Sequence, residues 1–235
     1  MSILKFTVIH KKELLGSYGY AALKVNSNSF IREFFIEGLN IEQPLEMISS
    51  TISINVNYTN KYNSVLHLVD FELYVTDIEK AFGGTNISGI VRPNSHFENY
   101  EQEIINVLNS WQKGIEIEWD KLNTTEKHNY ISCCGYWSGL TKKIPLEKYR
   151  LDCSLIKEEL DFFILLGEVL VGKRGYFGDY LYTLEDCLRE LHNENQHHIT
   201  LEFFNYEILK NSVGDSYFDD IIKLFNRYNF DIKLI

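Results

Sequence analysis

The sequence predicts two domains. Residues 1–144 read as a β-rich α+β domain with a mostly antiparallel sheet, and residues 145–235 as an α/β domain in which helices pack on a small three-stranded parallel sheet. Three observations support this. A chain of 235 residues can bury two cores of ordinary size. Apolar and polar residues alternate through about residue 92, the period of half-buried strands. From residue 148 the order becomes strand, helices, strand, helix, strand, which favours parallel pairing through right-handed crossovers. A hydrophobic share of 45% against 24% charged residues is ordinary for a globular chain and argues against disordered, collagen-like and coiled-coil classes.

The strands of the first domain are ILKFTVI (3–9), YAALKV (20–25), FIREFFIEG (30–38), TISINVNY (51–58) and SVLHLVDFELYV (64–75). Asn, Ser and Gly clusters between them, such as NSNS (26–29) and NYTNKYNS (57–64), supply turn chemistry for sequential hairpins. AFGGTNISG (81–89) reads as a loop. From His96 to Trp111, the residues Phe97, Tyr100, Ile104, Ile105, Val107, Leu108 and Trp111 recur at helical spacing. GIEIEWD (114–120) alternates as a strand, whereas NYISCCGYWSG (129–139) is ambiguous. GLTKKIPLEK (139–148) marks a junction near residue 144, because Pro145 cannot donate to a ladder and disfavours helix at the residue before it.

In the second domain KYRLDC (148–153) is a strand, followed by a helix in which Ile156, Leu160, Phe163, Ile164 and Gly167 share a face and Ser154 is the cap. Gly175 and Gly178 then permit a break in the chain. A second helix follows, with Asp179 as its N-cap and Leu184, Cys187, Leu188 and Leu191 at i, i+3, i+4 and i+7. HHITLEFF (197–204) is a strand through Ile199, Leu201 and Phe203, and 215–229 is a helix through Phe218, Ile221, Ile222 and Phe225. FDIKLI closes the chain as a strand.

A net charge of −10 repels phosphate backbones and anionic lipids, so nucleic acid and membrane surfaces are poor partners and a basic partner is favoured. The N-terminus lacks the basic segment and long apolar core of a secretory signal, which makes the cytoplasm the expected compartment. The most apolar run, Phe162 to Val171, is about half the ~20 residues of a membrane span. Cys133, Cys134, Cys153 and Cys187 form no CxxC, so reduced thiols are expected, with Cys187 in the core. The histidines form no HExxH or finger spacing, and GxGxxG, GxxxxGK[ST] and GxSxG are all absent. No metal, cofactor or catalytic residue is assigned. An enzyme using scattered acids such as Asp70 and Glu72 ranks last among the functions considered.

The strongest functional signal is YFGDYLYTLEDCL (176–188), with ITLEFFNYE (199–207) and FDIKLI (230–235) in support. Together with the element order, these make residues 148–235 resemble the barstar family, bacterial intracellular inhibitors of the secreted ribonuclease barnase. The resemblance implies a loop and helix that plug a ribonuclease active site, with a helix aspartate standing where a substrate phosphate would. Asp186 matches that aspartate, Tyr176 and Phe177 the aromatic pair, and Gly178 the glycine that lets the loop approach its partner. Asp179, Tyr182 and Glu185 complete the expected contact set. Tyr182 stands where the family commonly shows an acid and Glu185 where it commonly shows tryptophan. The last helix ends LFNRYN, without the further acid the family can present there. These departures imply a target other than barnase itself.

The expected function is therefore an immunity protein that binds a basic ribonuclease toxin domain one-to-one and does no chemistry. The alternative is that residues 1–144 bind the partner and the second domain serves as a scaffold.

Overall fold

In the computed structural model, which describes residues 3–24, 31–42, 44–92, 101–141, 143–194 and 198–235, the alternating segments of the first part join one antiparallel sheet. Its strands are β1 (Ile3–His10), β2 (Glu13–Tyr18), β3 (Ala21–Lys24), β4 (Ile31–Glu37), β5 (Thr51–Thr59), β6 (Val65–Ala81) and β7 (Gly84–Val91), in the spatial order β2-β1-β5-β6-β7-β4-β3. Every pairing is antiparallel. Strict alternation in TISINVNYT puts Ile52, Ile54, Val56 and Tyr58 on the buried side, beside Leu4, Phe6 and Val8 of β1 and Val69, Phe71, Leu73 and Val75 of β6.

Helix α1 (Gln102–Gln112) buries Ile104, Ile105, Leu108 and Trp111. Its end residues also reach the sheet: Gln112 Oε1 accepts the Leu4 N–H at 2.7 Å, and Gln102 Oε1 accepts that of Leu23 at 2.6 Å. The start expected at His96, like the NSNS turn and His197, lies outside the described residues.

Several expectations are corrected here. AFGGTNISG is no loop, since Gly84 opens β7, which pairs with β6 and β4. Strand β2 was not anticipated, because it is an edge strand with Leu14 and Leu15 exposed and lacks clean alternation. GIEIEWD forms no strand and ends in a 3₁₀ turn, Trp119–Lys121.

The chain divides into two compact units, Met1–Glu116 and Ile117–Ile235, so the junction expected near residue 144 lies inside the second unit. The reason is helix α2 (Thr124–Ser138), which covers the ambiguous NYISCCGYWS and is started by an Asn123/Glu126 capping box. Lys127, buried on α2, places its Nζ 2.6 Å from Glu158 Oε1 and 2.6 Å from Asp161 Oδ1, tying α2 to the start of the next helix.

That helix is α3 (Glu159–Val171), between β8 (Lys148–Asp152) and α4 (Leu181–Glu194). Then come β9 (Ile199–Phe204), α5 (Tyr206–Val213), α6 (Asp215–Arg227) and β10 (Phe230–Leu234). Glu158, not Ser154, caps α3. The sheet order is β10-β9-β8 and both pairings are parallel. Tyr149, Leu151, Leu201 and Phe203 point to the buried side, where Phe203 meets Phe162 of α3 at 6.2 Å and Phe225 of α6 at 6.1 Å between ring centroids. Helix α4 buries the anticipated stripe Leu184, Cys187, Leu188 and Leu191, whereas α6 buries Leu224 in place of the expected Ile222. Among the described residues no helix is long and apolar enough to cross a membrane.

Candidate partner-binding surface

The segment before α4 is seated by close backbone approach. A Cβ on Gly167 of α3 would lie 2.2 Å from the Gly175 carbonyl oxygen, so only glycine there lets the loop pass. Gly178 has φ +95°, and a Cβ on it would lie 2.7 Å from the Leu184 nitrogen. The glycine anticipated for approach to a partner thus serves the turn into α4.

The loop side chains divide between core and surface. Phe177 is fully buried. It belongs to the core, a correction to its expected place in the contact set, since a fully buried ring has no surface to offer a partner. Tyr176 is half-buried; its hydroxyl donates to Asp179 Oδ1 at 3.3 Å, and burial, then the Asp179 charge, push its pKa up.

Asp179 is not the N-cap. It lies two residues before α4, and its Oδ1 also accepts from the Thr183 hydroxyl at 2.6 Å. Thr183 Oγ1 in turn accepts the N–H groups of Asp179 at 2.9 Å and Tyr180 at 3.1 Å. It satisfies donors that the helix start leaves open. The expected cap chemistry is present with its direction reversed, and Thr183 at the third helical position was the signal for it.

The outward face of α4 carries Tyr182 and Asp186 at i and i+4, which places them side by side. The Tyr182 side chain is 76% exposed, and its ring meets that of Tyr180 edge-on at 6.1 Å. The Asp186 carboxylate is 60% exposed and has Arg189 NH2 2.5 Å from Oδ1. Glu185, less exposed, accepts from Arg227 at 2.9 Å and from the Tyr228 hydroxyl at 3.1 Å, both at the C-terminal end of α6. Glu185 is thus tied to α6, whereas Asp186 is paired within α4 to Arg189. Cys187 lies beneath this face with its thiol pushed up to about 12 by burial, as befits a core residue.

Beside the loop is a groove of about 430 Å³ lined by Thr124, His128, Glu158, Glu159, Leu160, Asp179 and Tyr180. Its α2 wall was not legible in the sequence. Glu159 accepts a hydrogen bond from Tyr217, whose pKa is raised first by burial and then by that carboxylate. Asp70 and Glu72 lie on β6, where Asp70 pairs with His67 at 2.9 Å. Among the described residues no group of three or more His, Cys, Asp or Glu is arranged to hold a metal ion.

No protein-family model, no curated protein and no solved structure matches this chain.

Proposed function

We propose that this is a barstar-like immunity protein of the bacterial cytoplasm, which holds a basic ribonuclease toxin inactive by covering its active site with α4 and the loop before it. The observation that carries the reading is the pairing of Tyr182 and Asp186 on the solvent side of α4, back to back with the buried stripe of Leu184, Cys187, Leu188 and Leu191. One face fixes the helix, and the other presents an aromatic ring and a carboxylate with no core task.

A carboxylate brought against arginine, lysine or protonated histidine in a phosphate-binding site gains charge-assisted hydrogen bonds. The Asp186–Arg189 pair is exposed on both sides, and such pairs contribute about 0–1 kcal/mol, so a partner's cations can take the place of Arg189. The ten basic and sixteen acidic side chains of residues 148–235 favour fast encounter with a basic RNA-binding groove.

The test is an RNA-cleavage assay of a basic ribonuclease encoded beside this protein, titrated with the full chain. Stoichiometric, salt-sensitive loss of cleavage is expected. Full nuclease activity at excess protein sinks the reading.

A second reading places the partner on the first unit. It is favoured by Phe82, fully exposed at the β6–β7 turn as an apolar anchor. Under it Phe82→Ser abolishes protection against the toxin while Asp186→Ala leaves it intact; the leading reading expects the reverse.

A further inference from the structure

Helix α2 lies outside the run that carries the family resemblance, yet it touches the loop at three places. Ser138 is fully buried; its hydroxyl donates to the Cys134 carbonyl at 3.0 Å and accepts the Tyr176 N–H at 2.9 Å. One turn earlier, a Cβ on Gly135 would lie 3.7 Å from the Tyr176 ring, an ordinary contact distance, so the ring faces the helix there with room for about one methyl group. The Arg174 guanidinium sits 5.0 Å over the Trp137 ring, and Arg174, 7% exposed, holds φ +60° at the turn into the loop.

The other end of α2 is anchored separately. Lys127 contacts Glu158 and Asp161 at 2.6 Å each, Thr124 donates to Glu158 at 2.9 Å, and Asp161 Oδ2 accepts the N–H groups of Lys157 and Glu158 at 2.9 and 3.2 Å. The helix is held at its N-terminal end by α3 and supports the loop with its C-terminal end.

We propose that α2 is the positioning element of the Tyr176–Asp186 surface, acting through Ser138 and Gly135, so that the partner-binding unit begins near residue 117 and not at residue 145. This deepens the proposed function by naming what sets the loop, and it rests on that reading only for the statement that the loop meets a partner. The physical reason is that a loop before a helix has few bonds of its own. Its Tyr176 amide would otherwise be left to water, and the Tyr176 ring would lose its backing. Asp179, which takes the Tyr176 hydroxyl, would shift with it, and so would Thr183 and the start of α4.

Amide hydrogen exchange on the free full-length protein tests the positioning role, comparing wild type with Ser138→Ala and with Gly135→Leu. Loss of one net hydrogen bond should speed exchange at Tyr176 and its neighbours through Thr183 by about fivefold to tenfold in Ser138→Ala. Gly135→Leu, which pushes the ring outward, should do the same. In both, amides in β9 and in the middle of α3 should keep their rates, an outcome that general destabilisation would not give. Unchanged exchange at residues 176–183 in both variants overturns the proposal, as does a uniform rise across β9 and α3. This readout needs no partner. If the neighbouring ribonuclease is not inhibited by wild type, the proposed function fails while the positioning role stands. If it is inhibited, Ser138→Ala should weaken inhibition by about fivefold or more, and undiminished inhibition by both variants also overturns the proposal.

Discussion

Glu185 on α4 and Arg227 on α6 are joined by a 2.9 Å hydrogen bond, with the Tyr228 hydroxyl donating to the same carboxylate oxygen. This α4 acid is therefore engaged within the molecule. Arg227→Ala should leave Glu185 with Tyr228 alone and remove a positive charge from the face proposed to meet a basic partner. The expected outcome is faster association at low salt, by about twofold to tenfold, with thermal stability lowered by no more than about 1 kcal/mol. Stopped-flow binding at two salt concentrations and a thermal melt check this.

Asp186→Ala should separate binding from stability. Its exposed pair with Arg189 contributes little to the fold, so unfolding should change by less than about 0.5 kcal/mol. Binding to the proposed ribonuclease partner should weaken by about 2–5 kcal/mol, the usual effect of truncating one partner of a desolvated charge pair. Inhibition titrations and a urea melt on the same preparation measure both.

Phe177→Ala should do the opposite. The ring is fully buried, and emptying such a site costs about 3–5 kcal/mol of stability. Loss of inhibition at temperatures where the variant stays folded would instead give Phe177 a direct contact.

Lys127→Met should be among the most damaging single changes in the second unit. It leaves the Asp161 carboxylate, 1% exposed, with its two backbone donors but without the cation, at about 3–5 kcal/mol. Urea unfolding of Lys127→Met beside Lys127→Met/Asp161→Asn should show the double variant recovering part of the loss.

Stability should also fall on acidification. A hydrogen bond from Lys148, with Arg150 behind it, holds the Glu202 carboxyl below its ordinary value, and Lys127 does the same for Glu158. Each contributes stability that is present above the unfolded pKa of about 4.5 and lost as pH falls below it through the folded value. Urea midpoints between pH 6 and 3 should therefore decline, and Glu202→Gln should flatten the decline.

What could be read in advance follows the reach of each signal. The alternation of TISINVNYT and the i, i+3, i+4, i+7 stripe of α4 were legible because periodicity is set by neighbours along the chain and by the need to bury one face. Helix α2 was not, since its apolar residues form no clear stripe and Gly135 and Ser138 are chosen to meet Tyr176 rather than to mark a face. Strand β7 was hidden by its glycines, which read as a loop until β4 and β6 bring their backbones against it.

By itself the sequence determined most strands of the first unit, the parallel pattern of the second, the buried stripe of α4 and hence which residues of that helix face outward. Only the tertiary structure decided what those outward residues are bonded to. It gave Arg227 and Tyr228 to Glu185, left Asp186 a single exposed partner, moved Phe177 into the core and set Ser138 beneath the loop. The reason is physical: burial follows from a local period, whereas charge pairing and hydrogen bonding depend on groups that distant segments bring within about 3 Å.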